Sequence, residues 1–110
     1  MFLRSLVIGL LFSFTGCAYA DEDTGPRNIV SFGCHKFDGT CYVILDGPLI
    51  TGAPECAGND IRWDAKGDVN GKTWLSIIML AASTGKKVSL HVSGCFGQGV
   101  PAFNYGSIVL

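Results

Sequence analysis

The chain has 110 residues, with 8 Lys and Arg against 9 Asp and Glu and a formal net charge of −1. It lacks the excess of basic residues on which nucleic-acid binding depends, so that class of partner is excluded. The length predicts one domain, and a domain this small has a marginal hydrophobic core, so we expect additional covalent cross-links.

The first twenty residues have the three-part layout of a secretory signal sequence. Arg4 lies near the start, an apolar run covers 6–14, and a stretch of small residues ends at Ala20 before Asp21. The apolar run is too short to anchor a folded protein across a bilayer. The acidic residues that follow at once argue against the alternative of a buried N-terminal helix. We therefore predict a signal peptide over 1–20, cleavage after Ala20, and export to the periplasm or the medium.

A second processing route is open at Cys17. The segment 14–17 reads Phe-Thr-Gly-Cys and resembles a bacterial lipoprotein box, with Phe14 where Leu is usual. Cleavage before Cys17 would leave a lipid-anchored protein in the bacterial envelope. By either route Cys17 is outside the folded domain, and four cysteines remain for pairing.

The N-terminal half of the mature chain predicts three strands. Residues 21–27 are acidic and contain Gly25-Pro26, which predicts a flexible segment before an OB-like domain over 28–110. Residues 28–36 and 40–46 are rich in β-forming residues, and Asp38-Gly39 between them predicts a tight hairpin. A Gly- and Pro-containing loop is expected at 47–58, and a short third strand at 59–64.

The C-terminal half predicts one helix and two strands. Residues 72–85 have the length and the Ala and Leu content of a helix that ends at Gly85, with Asp68 or Asn70 as a cap. The strands are expected at 88–92 and 103–110, with a Gly-rich loop at 93–101. The apolar helix residues form two stripes, so we expect the helix to be buried on more than one side. One stripe contains Leu75, Ile78, Met79 and Ala82, and the other contains Trp74, Ile77 and Ala81.

This order of elements predicts a mainly β fold with one helix. Three strands, a helix and two further strands form the β-β-β-α-β-β order of an OB-fold, a five-stranded Greek-key barrel in which the helix plugs one end.

The four remaining cysteines, Cys34, Cys41, Cys56 and Cys95, predict two disulfides, because exported proteins fold in an oxidising compartment. Four cysteines allow three pairings. With Asp38-Gly39 as the turn, Lys36 lies opposite Cys41, and Cys34 is diagonal to Cys41 on the same face of the hairpin. Spacing therefore favours a local Cys34–Cys41 bridge and a long Cys56–Cys95 bridge around the helix.

No set of residues has a catalytic or metal-binding signature. Residues 67–73 resemble a phosphate-binding loop, but three residues separate the two glycines where that motif has four. Asp64, Asp68 and Asn70 lack the alternating ligands and the terminal Glu of a calcium loop. The two histidines have no neighbour at metal-ligand spacing. We therefore predict a protein that is not an enzyme and needs no cofactor or metal.

Aromatic side chains on strands and in loops are the candidates for ligand contact, because amphipathic rings stack on sugars and on protein surfaces. The alternative role of each ring is core packing. The aromatic residues of this kind are Tyr42, Trp63, Phe96, Phe103 and Tyr105. The loop 93–101, held by Cys95, is of the kind that carries recognition on a rigid scaffold. The candidate ligand-binding residues are Tyr42, Trp63, His91, Phe96 and Tyr105.

The segment between Cys56 and Cys95 resembles a recurring pattern in small exported bacterial proteins. The pattern is a Cys, Gly71-Lys72 opening a Leu- and Ala-rich helix, a Gly-Lys-Lys-Val stretch at 85–88, and Gly94-Cys95. Its two cysteines agree with the long bridge favoured by spacing.

A weaker similarity extends to the B subunits of the subtilase-cytotoxin and typhoid-toxin type. The similar part is the helix running into residues 84–88, with a strand behind it. The proteins of that family have an OB-fold, form pentamers and bind sialylated glycans, and the resemblance implies the fold and the mode of use. His91 and Val92 stand where that family has a pair of tyrosines, one of which contacts the sugar, so its glycan site is not carried over.

We therefore expect a secreted or periplasmic binding module that recognises a surface glycan or protein and forms a homo-oligomer, without nucleic acid and without a membrane span. The alternative is a structural or interaction protein of the envelope, anchored through a lipidated Cys17.

Overall fold

The computed structural model describes residues 21–97 and 99–110. Signal-peptide cleavage and lipidation fall on positions outside these residues, and both stay predictions. The described part is mainly β with one helix, as the sequence predicts. Its elements are β1 (Asp21–Asp23), β2 (Ile29–Cys34), β3 (Thr40–Leu45), a 3-10 turn (Pro54–Cys56), β4 (Asp60–Asp64), α1 (Gly71–Thr84), β5 (Lys87–Gly97) and β6 (Val100–Val109).

The six strands form one sheet in the order β1-β5-β6-β4-β3-β2. All neighbours are antiparallel except β4 and β6, which run parallel and pair at Arg62 and Ala102. The outermost strands β1 and β2 are joined by the short connection 24–28, which reaches about 20 Å when extended. The edges of a flat sheet of this size would lie about 24 Å apart. The sheet is therefore not flat.

Residues 21–27 were predicted to be flexible, but the structure pairs them with β5. Asp21–Asp23 pair with His91–Ser93 of β5, and Arg27 exchanges two backbone hydrogen bonds of 2.9 and 3.0 Å with Val88. The buried Arg27 guanidinium also donates to the carbonyls of Thr24, Asp46 and Pro48. The sheet consequently has six strands where five were expected. Local composition could not show this, because the strand is held by partners far away in the chain.

The first hairpin is present, but its turn is longer than predicted. Cys34 lies directly opposite Cys41, and the His35 N–H donates to the Thr40 carbonyl at 2.8 Å, so Lys36 is in the loop and not opposite Cys41. Asp38 Oδ1 accepts the Thr40 N–H at 2.9 Å and folds the loop back on itself. This side-chain hydrogen bond replaces the two-residue turn expected from Asp38-Gly39.

The loop predicted for 93–101 is also corrected, because β5 and β6 extend through most of it. Cys95 pairs with Pro101 and Gly97 with Val100, across register shifts in the ladder. Gly94 and Gly97 have φ of 69° and 103°, a conformation that favours glycine, so they accommodate these bulges. Bulges break the regular alternation that marks a strand in sequence.

The two predicted disulfides, Cys34–Cys41 and Cys56–Cys95, are both formed. Cys56 belongs to the 3-10 turn and Cys95 to β5, so the long bridge fastens the loop 47–58 to the sheet. The short bridge joins β2 to β3 across the first hairpin.

The helix is buried on one face, not on several as predicted. Ile78 and Ala81 are fully buried against the sheet, whereas Met79 and Leu80 are 50% and 56% exposed. A single sheet offers one surface for the helix to cover. The helix ends at Gly85 in the left-handed conformation, as predicted. The buried cluster beneath it contains Cys41, Val43, Leu45, Ile50, Ile61, Trp63, Ala65, Val88, Leu90 and Val92.

Within the described ranges, no helix has the length and apolar character needed to cross a bilayer.

Candidate functional site

A cleft of about 330 Å³ opens where the chain leaves β4 and enters α1. We call it the aromatic cleft. Its position follows from the sheet, because β4 and β6 pair at Arg62 and Ala102, whose next residues in sequence are Trp63 and Phe103. The parallel pair therefore brings two aromatic residues from distant segments side by side. The cleft is lined by Trp63, Asp68, Asn70, Gly71, Trp74, Phe103 and Asn104.

Three rings form a continuous edge-to-face arrangement in the cleft. The Trp63 and Phe103 centroids are 5.6 Å apart at 79°, and those of Trp74 and Phe103 are 4.9 Å apart at 86°. Trp63 is buried, and its indole N–H donates to the Gly71 carbonyl at 2.9 Å. Trp74 and Phe103 are half-buried. The rings are thus fixed before any ligand arrives, which lowers the entropy cost of binding.

Gly71 allows this arrangement because no side chain fits at its position. A Cβ there would lie 2.6 Å from the Ala65 Cα and even closer to the Asp64 carbonyl oxygen. The first residue of α1 is therefore packed directly against the end of β4. This close approach places Trp63 and Trp74 at one site.

The loop before α1 holds a carboxylate at the rim of the cleft. Asp64 Oδ1 accepts the N–H groups of Lys66 and Gly67 at 3.0 and 2.9 Å. Asp68 Oδ2 accepts the Asp64 N–H at 3.2 Å, which leaves Asp68 Oδ1 without a partner among the described residues. The loop is therefore ordered by its own side chains, and it presents one carboxylate oxygen that can accept a hydrogen bond.

Neutral polar groups complete the lining. The Asn70 side chain makes no capping hydrogen bond to α1. Within the described residues, neither the Asn104 amide nor the Trp74 indole N–H has a hydrogen-bond partner. Aromatic walls with a few such donors and acceptors are typical of small-ligand sites. The cleft therefore suits a ligand that has both apolar faces and hydroxyl groups.

His91 and Tyr105 form a separate pair on β5 and β6. Their rings are stacked, with centroids 4.6 Å apart and planes at 5°, and Tyr105 is 56% exposed. His91 Nδ1 lies 2.6 Å from Asp23 Oδ1, and Nε2 lies 3.3 Å from Asp21 Oδ2. The hydrogen bond to Asp23 and then that to Asp21 raise the pKa of His91 above its ordinary 6.5, against the opposing effect of desolvation. Because carboxylates of β1 take both ring nitrogens, His91 fastens β1 and is not free for a ligand.

Tyr42 and Phe96 lie outside the aromatic cleft. The Tyr42 ring on β3 lies under the Arg62 guanidinium, with 5.9 Å from its carbon to the ring centroid, and Arg62 pairs with Asp60 at 3.0 Å. Phe96 is on the bulged extension of β5. Of the five residues proposed from sequence as ligand contacts, Trp63 alone lines the cleft.

Sequence reasoning missed Trp74 and Asn104 as site residues. It assigned Trp74 to a helix stripe, and it considered Asp68 and Asn70 only as helix caps or calcium ligands. The available signal was a Trp in the first turn of a helix, directly after a loop rich in Asp and Asn. The position of Asn104 depends on the β4–β6 pairing, which has no local signal.

Among the residues that the structure describes, no three His, Cys, Asp or Glu side chains are grouped so that they could hold a metal ion. His91 has carboxylates on opposite ring nitrogens, so those three groups do not converge on one point.

Comparisons of this chain with protein-family models, with curated proteins and with solved structures found no match.

Proposed function

We propose that this protein is a secreted or periplasmic binding module of the OB type, without enzymatic activity, that holds a saccharide in the aromatic cleft. The observation that carries the proposal is the cleft itself, in which fixed aromatic rings lie beside polar groups that have no partner within the described part of the chain.

The strand connectivity supports the OB-type barrel. Without β1, the order of strands across the sheet is β2-β3-β4-β6-β5. Counted along the chain, these are the first, second, third, fifth and fourth of the five strands. The Arg27–Val88 pair links the start of β2 to β5, which is where such a sheet closes. The helix lies between the third and fourth of these strands. This connectivity supports the proposal of a partly open Greek-key barrel.

The two disulfides support the exported location, because disulfides persist in oxidising compartments and are rare in the cytosol.

A saccharide fits the cleft better than a protein surface does. A volume of about 330 Å³ is near the lower end of small-ligand pockets, which span roughly 300–1,000 Å³, so the cleft is of a size for a small ligand. A sugar ring has a C–H face that packs on an aromatic ring and hydroxyls that bond to amides and carboxylates. Both kinds of group line this cleft.

The test is a glycan array with the oxidised, exported protein, followed by calorimetry on each sugar that binds. We expect Trp74→Ala to weaken binding at least tenfold, because it removes the half-buried ring at the cleft mouth. Phe37→Ala is the matched control, since Phe37 is an aromatic residue that is 93% exposed and lies outside the cleft. Binding to no sugar, or equal losses in the two variants, would contradict the proposal.

A further inference from the structure

We infer that the aromatic cleft selects neutral saccharides and rejects sugars that carry a carboxylate, such as sialylated glycans. The inference rests on the proposed function and names the class of its ligand.

The charge of the residues that line the cleft disfavours a sugar that carries a carboxylate. Among the described residues, Asp68 is the one charged residue that lines the cleft, and no Lys or Arg does so. Because Asp68 Oδ2 is held by the Asp64 N–H, the carboxylate stays at the rim. A carboxylate-bearing sugar would meet this like charge with no cation to compensate. Sites for carboxylates usually supply Arg or Lys donors.

The Lys and Arg side chains near the aromatic cleft lie outside it. Lys66 and Lys72 line a different hollow together with Asp38 and Leu75. Arg62 precedes Trp63 on β4, and successive strand residues point to opposite faces, so its guanidinium lies over Tyr42 on the other side of the sheet. The basic residues near this end of the fold are therefore not part of the cleft.

The hydrogen-bonding groups of the cleft favour the hydroxyl groups of a neutral sugar. The free oxygen of Asp68 accepts, the Trp74 indole N–H donates, and the amides of Asn70 and Asn104 do both. Carboxylate and amide groups lining one cleft match the hydroxyls of an unmodified sugar ring, each of which donates and accepts. The geometry thus favours a ring with free neighbouring hydroxyls, packed on Trp74 or Phe103.

The experiment compares neutral oligosaccharides with their sialylated counterparts, built on the same galactose-terminated core, for binding to the exported, oxidised protein. We expect the neutral form to bind about tenfold more tightly. Asp68→Asn should reduce that preference to about twofold, because it removes the like charge and keeps the shape. Glu55→Gln is the matched control, since it removes an exposed carboxylate that does not line the cleft.

A second variant covers the case in which Asp68→Asn disturbs the loop. Asn104→Asp adds a carboxylate at an exposed position on β6 and should increase the preference for neutral sugars severalfold. Tighter binding of the sialylated form by the unmodified protein would overturn the inference and leave saccharide binding intact. Binding of neither form, nor of any other sugar on the array, would overturn the proposed function itself.

Discussion

Gly71 shows how a single position shapes the candidate site. The carbonyl of Gly71 accepts the Trp63 indole N–H, and its Cα is packed against the backbone at the end of β4. The glycine is required here for space and not for an unusual φ. One missing side chain therefore brings the strand and the helix close enough to form the aromatic cleft.

Gly71→Ala should lower the free energy of unfolding by about 3 kcal/mol, because the new methyl group meets backbone atoms that cannot move aside. Gly85→Ala is the comparison. Gly85 has a positive φ and open space around it, so the cost there is about 1 kcal/mol of backbone strain. Chemical denaturation of both variants measures the difference. A smaller loss for Gly71→Ala than for Gly85→Ala would show that the contact with β4 relaxes.

At the scale of elements, α1 was the easiest to predict and β1 the hardest. Residues 72–85 were predicted as helix and Gly71–Thr84 form it, because composition and the Gly85 stop are local signals. Strand β1 depends on a partner near the other end of the chain. The same distinction holds for the site: Trp63 could be selected from sequence, whereas its neighbours Phe103 and Asn104 reach it only through the parallel pairing of β4 with β6.

The docking of β1 should depend on pH. His91 has a raised pKa because its protonated form binds Asp23 and Asp21. The stabilisation is therefore complete below pH 6.5 and is lost as the pH rises through the folded-state pKa. We expect the amide protons of β1 to exchange faster above that pH, relative to the intrinsic exchange rate, and His91→Gln to remove this dependence.

Nuclear magnetic resonance titration of the His91 ring gives the matching test. Asp23→Asn should lower the pKa of His91 more than Asp21→Asn does, because the contact with Asp23 is 2.6 Å and that with Asp21 is 3.3 Å. A His91 that titrates at or below 6.5 in the unmodified protein would contradict the proposed fastening of β1.

For the whole molecule, the two disulfides should contribute unequally to stability. The Cys56–Cys95 bridge spans 39 positions and the Cys34–Cys41 bridge spans 7. In the chain-entropy description, closing these two loops stabilises the folded state by about 4 and about 2.5 kcal/mol, respectively. Replacing both members of the long bridge with Ala should therefore lower stability more than replacing both members of the short one. Urea denaturation of the two double variants tests this, and equal midpoints would contradict it.

The homo-oligomer and the lipid anchor at Cys17 stay predictions. The predicted homo-oligomer is tested by light scattering on the exported protein, where the mass of one domain would contradict it. Labelling with a radioactive fatty acid separates the two processing routes. Incorporation that is lost in Cys17→Ser would favour the lipid-anchored envelope protein, and its absence would favour release after Ala20.

The positions of the two tryptophans allow ligand binding to be followed by intrinsic fluorescence. The chain has two Trp residues, of which Trp63 is buried beneath the rings and Trp74 is half-buried at the mouth of the aromatic cleft. A sugar that covers Trp74 would shift its fluorescence to shorter wavelengths. Ligands can therefore be screened by emission spectra alone, without attaching a dye to the protein or to the carbohydrate.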